Sequence, residues 1–181
     1  MNISEAQREI RDYFIGGCYG QFVSGIIWMA SAALATWSSP RAAIGMLVVG
    51  GFFIFPLTEL LIHLEGRGKV ISPTNTLKQL GMQVAFVLPL SMPLILPVVR
   101  YRLNWFFPAM MILVGAHYLP FVFLYGMRMF IPLAALLLAS GMLIAMVPSA
   151  GFSIGAWVAG AVLLTFAFAG RRIALNERQP N

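Results

Sequence analysis

The sequence predicts an all-α fold: a polytopic membrane protein built as a six-helix transmembrane bundle, with a short interfacial helix at the N-terminus. Three observations carry that expectation. Six runs of roughly twenty apolar residues follow one another, and a helix of that length is what crosses about 30 Å of hydrocarbon. The chain of 181 residues is 60% hydrophobic and only 10% charged, with a mean hydropathy of +0.84. A soluble domain has about a quarter of its residues charged. Finally, the basic residues stand at the ends of the apolar runs, where topology determinants belong.

The elements follow in order. Ser4-Glu5-Ala6-Gln7 has the pattern of a capping box, which starts a helix at Ser4 that continues to about Phe14. Its charges (Glu5, Arg8, Glu9, Arg11, Asp12) suit a helix lying along the membrane surface. They do not suit a cleavable signal peptide, which needs a cationic start and a small-residue cleavage site. The spans are expected at 15–37, 42–64, 77–99, 104–126, 129–147 and 152–170. Ser38-Ser39-Pro40 closes the first, and the longest connector, 65–76, separates the second from the third. Pro89, Pro93 and Pro97 lie on nearly one face of the third span and predict a bent or partly unwound helix. With connectors this short, residues 1–181 form one transmembrane domain and leave no room for a separate soluble one.

The net charge of +6 and the pI near 10.1 do not indicate nucleic acid, because no basic patch or stripe exists. They indicate orientation. Arg8, Arg11, Arg67, Lys69, Lys78, Arg128, Arg171, Arg172 and Arg178 fall on one side, and only Arg41, Arg100 and Arg102 on the other. Nine against three places both termini in the cytoplasm. Cys18, the single cysteine, precludes an intramolecular disulfide and a thiolate cluster, and reads as a buried, inert thiol. Arg100, Tyr101, Arg102 and Trp105 read as an interfacial anchor rather than an anion site.

Small residues recur at four-residue spacing in Gly16, Gly20 and Ser24 and again in Gly151, Gly155 and Ala159. Such stripes let helices approach closely in lipid, where packing replaces the hydrophobic drive to associate. Packing within one chain is the default reading, and a homodimer seam is the alternative. Gly51 and Pro56 are echoed by Gly115 and Pro120, and Gln21 by Gln83. The echo is what a duplicated hairpin would leave, although Gly and Pro are common enough in membrane helices for coincidence to explain it.

The stretches Gly-Gly-Phe-Phe-Ile-Phe-Pro-Leu-Thr-Glu-Leu-Leu (50–61) and Leu-Asn-Trp-Phe-Phe-Pro-Ala-Met-Met-Ile-Leu-Val-Gly-Ala-His-Tyr-Leu-Pro-Phe (103–121) resemble a family of small bacterial multi-pass inner-membrane proteins with a domain of unknown function. The opening around Gly20-Gln21-Phe22-Val23-Ser24-Gly25 and Trp28 is similar too, so the resemblance covers essentially the whole chain. It implies a bacterial inner-membrane location and a single six-span unit. It implies no activity.

Chemistry must therefore be read from individual side chains. Glu59, within the second span, is the most expensive residue in the chain, since a carboxylate at the bilayer centre costs about 2.5–3.5 kcal/mol on insertion scales. His63 follows four residues later on the same helix face, a spacing that suits a proton relay or two ligands of one metal. His117 and Tyr118 lie near the middle of the fourth span, and Gln83 in the third. Pro56 and Pro120 remove amide donors, which frees the carbonyls of Phe52 and Ala116 inside their helices. Freed carbonyls beside polar side chains are one way to build a site within lipid. Glu59, Gln83 and His117 are expected at similar depth, in the cytoplasmic half, where they would line one cavity. Pro56, Pro89, Pro93 and Pro120 are the hinge candidates.

Glu59, His63 and His117 are weak metal candidates without a zinc motif, and no cofactor is indicated. Gly66-Arg67-Gly68-Lys69 is only half of a phosphate loop. The leading expectation is a small transporter, permease or ligand-binding membrane protein, with the bilayer and a small molecule or ion as partners. A membrane enzyme using Glu59 and His117 for acid–base or metal-assisted hydrolysis is the runner-up, and a structural subunit is the third reading.

Overall fold

The first helix begins two residues earlier than the Ser4 pattern indicates. In the computed structural model, which describes residues 1–66, 70–147 and 149–176, Asn2 is the N-cap of α1 (Ile3–Phe14). Its side-chain oxygen accepts from the Glu5 amide at 2.9 Å, and the Glu5 carboxylate accepts from the Asn2 amide at 3.0 Å. Asn caps as well as Ser does, and Glu5 stands at the third helical position from Asn2, where the reciprocal bond closes.

Helix α1 ends where Ile15, Gly16 and Gly17 all take positive φ (51°, 63° and 76°). Three successive left-handed residues cannot continue a right-handed helix, so the chain turns before α2 (Cys18–Trp37). Two of the three are glycines, for which this region carries no steric cost. Ser39 then caps α3 (Pro40–Leu64), with its hydroxyl accepting from the Ala42 amide and Pro40 at the first helical position.

The proline-rich third run divides as its spacing predicts. Helix α4 (Leu77–Ser91) passes through one 3₁₀ turn at Met92–Leu94 into α5 (Ile95–Tyr101). Helices α6 (Phe106–Tyr125), α7 (Phe130–Met146) and α8 (Ile154–Asn176) complete the chain, and no strand occurs among the described residues. Five segments are long and apolar enough to cross a membrane: Ile3–Trp37, Pro40–Leu64, Leu77–Tyr101, Leu103–Tyr125 and Ile154–Asn176. Helix α7 is equally apolar but only 17 residues long.

Helices α2, α6, α7 and α8 form the centre. Their side chains Trp28, Phe107, Met111, Phe130, Leu133, Leu137 and Leu163 are all essentially inaccessible. Glycines set how closely the pairs approach. A Cβ on Gly141 of α7 would lie 2.8 Å from the Pro108 carbonyl of α6, and one on Gly115 of α6 would lie 2.9 Å from Leu138 of α7. Gly25 of α2 meets Leu164 of α8, and Gly155 of α8 meets Phe107. The small-residue stripes are thus occupied inside the monomer: Gly20 faces Thr58, and Gly16 faces Met127 and Ala174.

Helices α3 and α4–α5 are peripheral. Of their apolar windows 17% and 11% are buried, against 50% for Ile3–Trp37 and 44% for Leu103–Tyr125. Their outward Phe52, Phe55, Phe86, Leu90 and Leu94 are large, apolar and exposed, the composition of a surface that meets lipid acyl chains.

The hairpin echo does not survive in three dimensions. Gly115 is wedged against α7 whereas Gly51 has nothing within 4 Å, and Gln21 is buried whereas Gln83 is exposed. Matching letters occupy unlike environments, which is what coincidence produces. Of the partial phosphate-loop motif, residues 67–69 lie outside the described segment, as do Pro148 and Arg178.

Candidate functional site

The polar chemistry concentrates where α1 lies across one end of the bundle. Ala6 and Ile10 turn one face of α1 inward, and Glu9, Gln7, Arg11 and Tyr13 tie the helix down on several sides. Gln7 Nε2 donates to the Phe123 carbonyl at 2.5 Å and Arg11 Nη1 to the Tyr125 carbonyl at 3.0 Å. Both acceptors are in the last turn of α6, whose carbonyls have no partner within their own helix. Glu9 accepts from the Ser72 amide at 2.8 Å and from Asn75 Nδ2 at 2.7 Å. Asn75 is buried, donates also to the Ala6 carbonyl, and accepts from the Leu77 amide, which fixes the entry into α4. Sequence reasoning did not single out Gln7, Glu9, Tyr13 or Asn75. Their partners are 46 to 116 residues away, and no local pattern reports such pairs.

Tyr13 leads to the expensive carboxylate. Its hydroxyl donates to Glu59 Oε2 at 2.7 Å, and this is the one hydrogen bond to Glu59 among the described residues. Glu59 is half-buried, five residues before the end of α3 and so about 7.5 Å from it. Beside it a groove of about 200 Å³ is lined by Tyr13, Phe14, Glu59, His63, Val70, Ile71 and Lys78. The i, i+4 spacing does bring Glu59 and His63 to one wall, and Lys78 adds a cation from α4. The groove therefore offers an acid, an imidazole, a phenol and an ammonium group over apolar flanks.

A second carboxylate at this end is satisfied differently. Glu65 accepts from Arg171 Nη2 at 2.7 Å and from the Tyr19 hydroxyl at 2.8 Å, which links α3, α8 and α2. Cys18 beside this cluster is a free, buried thiol. At the other end of the bundle Tyr101 and Trp105 pair with ring centroids 5.8 Å apart, the Arg102 guanidinium lies 5.3 Å above the Trp105 ring, and Trp37 meets Trp157 at 5.9 Å. The Arg, Tyr and Trp cluster at 100–105 is thus held together by aromatic and cation–π contacts.

Other expected site residues lie elsewhere. Gln83 is on the exposed face of α4 and does not line the groove. His117 is half-buried, beside the backbone of Val84 in α4 and the rings of Tyr118 and Phe121, and its Nδ1 makes no hydrogen bond to a described residue. It does not line the groove either. Tyr118 is buried, stacked on Phe130 with ring centroids 6.0 Å apart. Pro56, Pro89, Pro93 and Pro120 all occupy exposed faces, and so do Phe52 and Ala116, whose carbonyls the prolines free. Neither Phe52 nor Ala116 lines the groove. The break in the third run is centred on Met92–Leu94, which contains Pro93. Among the described residues no three His, Cys, Asp or Glu side chains gather closely enough to hold a metal ion.

These features define a class: an all-helical protein with several helices long and apolar enough to cross a membrane, and an acid-bearing groove at one end. The chain belongs to DUF7010, a family of unknown function, whose model matches residues 3–171. No curated protein and no solved structure matches it.

Proposed function

We propose that this protein is a six-span membrane carrier or receptor for a small cationic or zwitterionic ligand, with Glu59 as the charge-responsive group. One observation carries the reading. A carboxylate within a lipid-facing helix is held by a single hydroxyl, from a helix that is a separate unit of the fold, in a groove shared with His63 and Lys78. Structural carboxylates are saturated with partners, as Glu65 is by Arg171 and Tyr19. Glu59 keeps one oxygen for a guest. An ammonium group on the ligand, or a proton, would compete with the Tyr13 hydroxyl. His63 and Lys78 would receive a carboxylate or phosphate of the same ligand.

The left-handed residues 15–17 supply the joint on which α1 would lift, breaking the Tyr13–Glu59 bond. The basic-residue asymmetry supports an arrangement in which α1, the groove and both termini face the cytoplasm of a bacterial inner membrane, with α7 as the sixth span. The test is proton movement in liposomes loaded with a pH-sensitive dye and challenged with zwitterionic amino acids or with monovalent amines. The wild-type chain is expected to couple ligand addition to a pH change, and Glu59→Gln to abolish it while keeping its melting temperature. An unchanged response in Glu59→Gln overturns the assignment of Glu59.

A further inference from the structure

The groove beside Glu59 is small, and apolar surface on two helices continues it. Its volume is about 200 Å³, below the range of about 300–1,000 Å³ usual for sites that enclose a small molecule. Glu59 and His63 line it from α3, and Lys78 from α4. Among the described residues Glu59 bonds only to Tyr13, and the side chains of His63 and Lys78 bond to none. The groove thus presents one carboxylate oxygen, an imidazole and an ammonium group to whatever occupies it.

The register shows what lies beyond these side chains. On α3, Phe55 and Phe52 precede Glu59 by four and seven residues and so share its face. On α4, Met82 and Phe86 follow Lys78 by four and eight and extend its face in turn. All four are apolar and more than half exposed, so no described part of the chain covers them. At 1.5 Å per residue the two stripes reach about 10 Å from Glu59 and about 12 Å from Lys78. Helix α3 packs on α2, and α4 on α6 and α1, whereas α3 and α4 make no comparable contact with each other. Two uncovered apolar walls therefore start from one charged groove.

We infer that the ligand of this groove is a zwitterionic phospholipid with a primary ammonium group, which enters from the bilayer rather than from water. The inference rests on the reading of Glu59 as the charge-responsive group and names the ligand class for it. Charge complementarity carries it: Glu59 accepts from the ammonium group, and Lys78 and His63 donate to the phosphate. The acyl chains lie against Phe55 and Phe52 on one side and Met82 and Phe86 on the other. Depth agrees, because the polar residues lie within two turns of the end of α3 or in the first turn of α4, where headgroups meet the ends of spanning helices. A quaternary ammonium group has no N–H to donate to Glu59, and a lipid without an amine brings its phosphate toward a like charge. A free amino acid covers neither apolar stripe, whereas a lipid covers both.

The test titrates the full chain in detergent with dioctanoyl phosphatidylethanolamine, phosphatidylcholine and phosphatidylglycerol, and with the water-soluble headgroup glycerophosphoethanolamine, read by native mass spectrometry. The phosphatidylethanolamine is expected to bind about tenfold more tightly than the other two lipids, the factor that a hydrogen bond between charged groups supplies. Glu59→Gln should remove that preference. Phe55→Ala and Phe86→Ala, both at exposed positions, should keep the melting temperature and weaken phosphatidylethanolamine about fivefold. Equal binding of the three lipids shows an ordinary lipid coat and overturns the inference. If the soluble headgroup binds as tightly as the lipid and the two phenylalanine variants change nothing, the lipid assignment falls while Glu59 keeps its role. An undiminished preference in Glu59→Gln overturns the Glu59 reading itself, and the lipid assignment with it.

Discussion

Replacing Gly141 by alanine should loosen the α6–α7 pair, and the size of the effect follows from geometry. The new Cβ would lie 2.8 Å from the Pro108 carbonyl oxygen and 3.1 Å from both Ile112 Cγ1 and Met111 Cβ. Ordinary contact begins near 3.4 Å, so α6 and α7 must part by at least 0.6 Å at this point. The nearest atom is backbone, which no rotamer change can move aside. Overpacking of this kind costs about 1–3 kcal/mol, and removing a helical glycine returns about 0.5–1 kcal/mol. The net expectation is a loss of about 1–2 kcal/mol. Gly51→Ala is the matched control: its Cβ meets nothing within 4 Å, so the propensity gain should stand alone, at about 0.5–1 kcal/mol of stabilisation. Both variants would be compared with wild type by thermal unfolding of the purified chain in detergent, followed by intrinsic tryptophan fluorescence. If Gly141→Ala melts at or above Gly51→Ala, the α6–α7 contact is not as described and the packing argument fails.

Cys18 is 2% exposed, so a maleimide should leave the folded protein unlabelled and react fully once SDS unfolds it; rapid labelling of the folded state would contradict its burial. Asn75→Ala removes three hydrogen bonds at a buried position, and the loss of about 2–3 kcal/mol expected from bonds worth about 1 kcal/mol each should appear as a lower melting temperature and as faster proteolysis of the 66–76 connector. Tyr13→Phe should free α1 to move while leaving the bundle intact, and a spin label on α1 should report greater mobility; an unchanged spectrum would mean that the Glu59 bond does not restrain α1. Gly17→Ala places a Cβ at φ +76° and is expected to cost about 1 kcal/mol or more, which the same melting assay would register.

Much of the fold was legible because the bilayer imposes one length and one rule on every crossing segment. Apolar runs had to be helices, their ends had to coincide with charges, and three prolines at four-residue spacing had to break the third run. The turn between α1 and α2 was not read from the sequence: Gly16 and Gly17 were expected inside the first span, and their left-handed conformation instead ends α1 before it. Local signals misplaced the first cap, where two equally good capping residues, Asn2 and Ser4, stand within one turn of each other, and the end of the last helix, which runs to Asn176 rather than stopping at 170.

The candidate site was half legible. Glu59 and His63 share a wall because their pairing is local, set by helical spacing alone. Tyr13 and Lys78 come from other helices, and the azimuths of Gln83 and His117 depend on which faces of α4 and α6 meet. An apolar helix in lipid has no polar side to reveal its orientation, so periodicity says nothing about which way Gln83 or Gln21 points. The sequence by itself therefore determined the all-helical class, the apolar runs and the cost of a carboxylate embedded in one of them, all consequences of transferring short segments from water to hydrocarbon. Only the tertiary structure decided that Gln21 is enclosed while Gln83 is exposed, and that α1 closes over Glu59, because those outcomes are set by contacts between residues far apart in the chain.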